Sequence, residues 1–129
     1  MWKRKPRFKS RELRGKPPLK YGNSMYGGSK LEEVIYALLK AREEKGEISD
    51  IKRQQSVELQ GGSRETRISW RADFSFTRND TGELWYCEAK GYQDEPVWKL
   101  KLKMIRYQKI KTEIWAGTYT RPFLQEVIE

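Results

Sequence analysis

Asp73, Glu88 and Lys90 are the residues of this chain whose types and spacing could do chemistry. They sit in two runs, 70–76 and 84–91, on either side of the turn formers Asn79, Asp80, Thr81 and Gly82. Closing a hairpin there sets Arg78 against Glu83, an opposite-charge pair that favours this closure. Paired residue numbers then sum to a constant, and Asp73 falls opposite Glu88 with Cβ atoms about 5 Å apart, while Arg71 falls opposite Lys90. Two facing carboxylates repel, and a hard divalent cation with oxygen ligands removes the repulsion. Lys90 projects on the same face as Glu88, within reach of whatever such a cation holds. Carboxylate, carboxylate, metal and lysine together suit hydrolysis of a phosphodiester. The plainer alternative is an ion-pair patch in which Asp73 and Glu88 each pair with Arg71 or Lys90.

The elements that must position these groups follow from periodicity. Period-two alternation puts Trp70, Ala72, Phe74 and Phe76 on one face of the first strand and Arg71, Asp73 and Ser75 on the other. In the second strand Trp85, Cys87 and Ala89 share the core face, opposite Tyr86, Glu88 and Lys90. A one-residue slip would set apolar side chains against polar ones, which pins the register. Upstream, Ser29 and Glu32 read as a capping box opening a helix that runs to Gly46, with Leu31, Val34, Ile35, Leu38 and Leu39 as its apolar stripe. Gly46 reads as the glycine just past the helix end. Glu32 lies at the edge of the stripe, free to look toward a sheet unless its own helix end takes it. The stretch 51–59 reads as a strand with Ile51, Val57 and Leu59 toward the core. After the loop of Gly91, Tyr92 and Gln93, a helix opens at Asp94, Glu95 and Pro96 and runs to about Gln108. Val97, Leu100, Met104 and Ile105 are its expected buried side, with Lys99, Lys103 and Arg106 projecting. A last strand is expected over 110–116 and a short tail or helix over 120–129. The order is α-β-β-β-α-β, an α/β fold with a mixed sheet flanked by helices.

Composition narrows the chemistry. The 129 residues contain no histidine and one cysteine, Cys87. Histidine-dependent triads, histidine zinc sites, intrachain disulfides and zinc knuckles are all excluded. The lone thiol is expected to be buried, and the absence of a signal-peptide pattern or membrane-length apolar run points to a soluble, cytoplasmic protein. The formal net charge is +9, and it is concentrated: residues 1–28 hold nine Lys/Arg and one acid, while 29–129 hold 18 basic and 17 acidic side chains. An arm over 1–28 with Lys3, Arg4, Lys5, Arg7, Lys9 and Arg11, interleaved with Trp2, Phe8, Tyr21 and Tyr26, has the make-up of a phosphate-binding and base-stacking segment. Its prolines and glycines argue against stable periodic structure before about residue 28. Lys99 and Lys103 of the second helix are further candidates to flank DNA.

A helix opening Ser29-Lys30-Leu31-Glu32, a hairpin carrying Ala72-Asp73 and Glu88-Ala89-Lys90, then a basic helix and a strand, resembles the PD-(D/E)XK nuclease superfamily over about residues 29–116. The small size, the Ser-x-x-Glu helix start and the glycine after Lys90 resemble its phage junction-resolving endonucleases. Ala72 departs from the pattern, standing where the superfamily's name has proline. The resemblance implies a restriction-endonuclease-like core. It implies Asp73, Glu88 and the Ala89 carbonyl as ligands of Mg²⁺ (or Mn²⁺), and Lys90 orienting the attacking water and offsetting transition-state charge. Glu32 rather than Glu33 would complete the site. It also implies a homodimer acting on branched DNA, since two opposed strands must be cut. The expectation is therefore a metal-dependent endodeoxyribonuclease of the Holliday junction resolvase type. A sequence-specific nuclease has little chain left for base readout, and a non-catalytic DNA-binding protein would not need Asp73, Glu88 and Lys90.

Overall fold

The computed structural model describes residues 28–61, 63–90 and 95–129, without the side chains of residues 28 and 29. The expectations for the basic arm, including Lys3, Arg4, Lys5, Arg7, Lys9 and Arg11, and for the loop at 91–93 lie outside the described residues. The elements are α1 (Gly28–Glu44), β1 (Ile48–Gln60), β2 (Ile68–Arg78), β3 (Leu84–Ala89), α2 (Pro96–Gln108), β4 (Thr112–Thr118) and β5 (Arg121–Ile128). The strands form one mixed five-stranded sheet in sequential order. Neighbouring strands are antiparallel except β3 and β4, which are parallel and joined through α2. Among the described residues no helix is long and apolar enough to cross a membrane.

α1 forms where its leucine and isoleucine spacing demands. Leu31, Ile35 and Leu39, at i, i+4 and i+8, are all buried, whereas Leu38 turns to the rim at 38% exposure. Gly46 has φ +82°, and the Gly46 and Glu47 N–H groups close onto the carbonyls of Glu43 and Arg42. That left-handed cap is cheap only for glycine.

Helices flank the mixed sheet, as expected, but the faces are not shared out as alternation assigns them. α1 covers one face, over Ile48, Phe74, Phe76, Trp85, Cys87 and Ala89. α2 covers the other with Trp98, Leu102 and Ile105, over Val57, Leu59, Trp70, Ala72, Ile114 and Ile128. Trp70 and Ala72 therefore lie in a different core from Phe74 and Phe76, although alternation assigns all four to one side. β1 makes the same change: Ile51 packs under α1, Val57 and Leu59 under α2. The β1–β2 ribbon thus rolls over at one level, where Arg53 pairs with Phe74 and Gln55 with Ala72. Gln54, between them and opposite Asp73, has φ +54°, a left-handed conformation uncommon outside glycine. Long two-stranded ribbons twist strongly, and the two helices on opposite faces each take one half of the twisted surface.

Two further expectations change. α2 buries Trp98, Leu102 and Ile105, and leaves Val97 and Leu100 more than half exposed. Trp98 is the largest apolar group on the helix, so the face that buries it sets the rotation. The tail is neither helix nor coil but β5, paired along β4 from Thr118↔Arg121 to Thr112↔Ile128. Gly117 makes this possible: at φ +97° it passes so close to the Arg121 carbonyl that a side chain would not fit. Pro122 is tolerated because β5 is an edge strand with one side unpaired.

Candidate active site

The hairpin register is the one alternation selects. Thr77↔Leu84, Phe76↔Trp85, Ser75↔Tyr86 and Phe74↔Cys87 pair, and the Arg78 N–H meets the Glu83 carbonyl at 2.9 Å. The ladder runs as far as Phe74↔Cys87, the level at which β2 rolls over. Beyond it, the next position on each strand is Asp73 and Glu88. The Ala89 N–H donates to Asp73 Oδ2 at 2.8 Å, and the Asp73 N–H reaches the Glu88 carboxylate. The side chains have taken the place of ladder carbonyls.

Both carboxylates are buried, with Asp73 at 9% and Glu88 at 7% exposure. Glu88 lies under α2, and its Oε1 accepts the Trp70 indole N–H at 3.0 Å. Asp73, at the rollover, meets Glu32 of α1 through a side-chain hydrogen bond. The Glu32 carboxyl therefore faces the sheet. Glu33 is turned away and paired with Arg53 at 2.7 Å. The helix itself begins one residue ahead of Ser29, at Gly28.

Burial sets the electrostatics. Asp73 is raised to about 9, by desolvation first, then by the hydrogen bond with Glu32 and the charge of Glu88; the Ala89 N–H partly offsets this. Glu88 is raised to about 7, again mainly by desolvation, with the Trp70 N–H and the Lys90 charge opposing. A carboxyl–carboxyl hydrogen bond needs a shared proton, so a cation arriving at this site displaces one.

Lys90 directly follows β3, its N–H bonded to the Trp115 carbonyl at 2.8 Å. Its ammonium stands 5.5 Å from the centre of the Trp98 ring and 3.8 Å from Glu95. Trp70 and Trp98 pack at 6.3 Å between ring centres. Two indoles thus hold both reactive groups, one by a hydrogen bond to Glu88 and one by its face toward Lys90. Glu88 and Lys90 open into a cleft of about 210 Å³ that Arg71 and Lys101 also line. Lys99 and Lys103 are exposed on α2 and are not among the cleft-lining residues; Lys101, between them in sequence, is. The sequence reading missed Trp70, Trp98, Arg71 and Lys101 as site residues. The one available signal was Arg71, two residues before Asp73 and opposite Lys90 in the register.

The donor set suits a hard cation: carboxylate oxygens, desolvated and partly protonated for want of a counter-charge. No three His, Cys, Asp or Glu side chains among the described residues make a ready cage. Mg²⁺ does not require one, since it is commonly held by one or two carboxylates, waters and substrate phosphate. Cys87 is a buried thiol, as expected, and its burial pushes it well above the usual thiol range. No protein-family model, curated protein or solved structure matches the chain.

Proposed function

We propose that this chain is a metal-dependent endodeoxyribonuclease, built as the PD-(D/E)XK nucleases are, that cuts branched DNA, with the four-way junction as its substrate. One observation carries the reading. Asp73 of β2 meets Glu32 of α1 and feels the charge of Glu88 of β3, and Lys90 follows Glu88 at the strand end. Stability alone gives no reason to bury mutually repelling acids. The element order α-β-β-β-α-β, followed here by β5, agrees with the core that this superfamily uses.

Asp73 and Glu88 would hold Mg²⁺, with Glu32 beside Asp73 and the Ala89 carbonyl as the resemblance implies. When bound, the ion supplies Lewis-acid stabilisation of charge on the phosphodiester. The protein's part is positioning. The Ala89 N–H fixes one Asp73 oxygen and the Trp70 N–H fixes one Glu88 oxygen, which sets the orientation of both carboxylates. Lys90, steadied by Trp98, orients the attacking water and offsets negative charge as it develops. Cutting two opposed strands calls for two such sites, and so for a homodimer.

The test is cleavage of a labelled four-way junction beside a linear duplex of the same arm sequence, with Mg²⁺, Mn²⁺ or EDTA. Paired symmetric nicks in the junction alone, lost with EDTA, are expected. Equal cutting of both substrates would remove the junction preference. Tight binding without cutting in either metal would replace the enzyme with a DNA-binding protein.

A further inference from the structure

The cleft beside Glu88 and Lys90 holds two cations that the reaction does not use. Arg71 reaches it from β2, next to Trp70, and Lys101 from α2, one turn after Trp98 and Val97. Arg42, Arg53, Arg78 and Arg106 each hold a carboxylate, at 2.9, 2.7, 2.9 and 2.7 Å. Arg71 and Lys101 have no ion-pair or hydrogen-bond partner among the described residues. With Lys90, three cations line this cleft against two acids, Glu88 and Glu95. Like charges gathered on low-dielectric walls repel one another and focus a positive field into the cavity, which favours an anion there.

The rim narrows the choice of anion. Val97 lines the cleft, and it and Leu100, three residues on along α2, are 54% and 56% exposed. An exposed apolar patch beside unpartnered cations matches a chain that alternates charged phosphates with apolar sugar faces. It does not match a free inorganic anion, which has no use for the patch. Arg71 is also two residues from Asp73, and Trp70 holds Glu88, so a strand seated here runs directly past the acids.

Resting on the nuclease reading for its substrate class, we infer that Arg71 and Lys101 form a clamp for the sugar-phosphate backbone of the DNA strand, at a phosphodiester neighbouring the one that is cut. The guanidinium offers paired donors to phosphate oxygens, and Lys101 adds a point charge from across the cleft. Neither residue touches the reacting atoms, so both act on binding and on alignment of the strand.

The experiment is fluorescence anisotropy of a labelled four-way junction and of one of its single strands. Both are measured in Ca²⁺ with the full chain, across a range of salt concentrations. R71Q, K101Q and the double variant are compared with K45Q, which removes the same charge at the far end of α1. The double variant is expected to bind about ten- to a hundredfold more weakly, with the slope of log affinity against log salt reduced by about two. Each single variant should lower that slope by about one, so the test survives if the double variant folds poorly. K45Q should stay within about twofold, in line with a phosphate contact being a local effect. A double variant with wild-type affinity and slope overturns the clamp, even if the enzyme cuts junctions normally. A wild-type chain that never cuts in Mg²⁺ or Mn²⁺ but loses binding in R71Q and K101Q overturns the nuclease reading and keeps the clamp.

Discussion

Asp73 and Glu88 each offer a side-chain carboxylate, not a carbonyl, to a backbone N–H of the neighbouring strand. The Ala89 N–H goes to Asp73 Oδ2 at 2.8 Å, and the Asp73 N–H goes to the Glu88 carboxylate. The pair is thereby held where the two strands part, buried and in mutual repulsion. That arrangement costs stability and gains a place for a cation.

The cost is measurable as a pH dependence. Asp73 is raised from 3.8 to about 9 and Glu88 from 4.5 to about 7, mainly by burial. The folded protein therefore holds protons that the unfolded chain has released. Stability in EDTA is expected to fall as pH rises through that range, roughly from pH 4 to pH 9. Millimolar Mn²⁺ should flatten the fall, because the cation replaces the protons. Urea unfolding at pH 5, 7 and 9, with and without Mn²⁺, checks this; stability that rises with pH in EDTA would contradict it.

Asp73→Asn keeps an acceptor for the Ala89 N–H and removes a buried carboxyl that folding forces to take up a proton. At pH 8 in EDTA the variant is expected to be more stable than wild type by about 1 kcal/mol while losing cleavage. Lys90→Ala should lower the cutting rate on the order of a hundred- to a thousandfold with junction binding retained. A D73N protein that cuts normally removes Asp73 from the site.

Trp70→Phe keeps a ring between Tyr86 and Trp98 and deletes the donor to Glu88. It should destabilise the fold by about 1–2 kcal/mol. Mn²⁺ affinity, read by calorimetry, should drop about tenfold as Glu88 loses its fixed orientation. Unchanged Mn²⁺ affinity would mean that the indole serves packing alone.

Arg42 pairs at 2.9 Å with Glu113, which is 7% exposed and also accepts the Trp115 indole N–H at 3.3 Å. Arg42→Ala leaves that anion buried beside Cys87 and is expected to cost about 2–3 kcal/mol, since Arg42 itself is partly solvated. Adding Glu113→Gln should recover much of the loss. Thermal melts of the single and double variants decide it.

Removal of residues 1–27 tests the basic arm. Junction affinity near 100 mM salt is expected to fall about ten- to a hundredfold, with a flatter salt dependence. Unchanged affinity would leave DNA binding to the folded domain.

What the sequence determined by itself is local and periodic. Alternation over 70–76 and 84–90, together with the Arg78–Glu83 closure, is enough to set Asp73 against Glu88, because a one-residue slip moves every side chain to the wrong face. The helix of Leu31, Ile35 and Leu39 and its Gly46 cap are local in the same sense. Tertiary structure alone decided the rest. Period two reports that a strand has two faces, and it cannot say how deeply Asp73 and Glu88 are buried on theirs. The rollover at Gln54 and Asp73 needs two strands and two helices present together. So does the rotation of α2, which follows Trp98 and leaves Val97 and Leu100 outside. The tail became β5 because β4 offered it an edge. Trp70, Trp98, Arg71 and Lys101 surround Glu88 and Lys90 only after α2 crosses the sheet, a contact between residues whose separation along the chain carries no period to read.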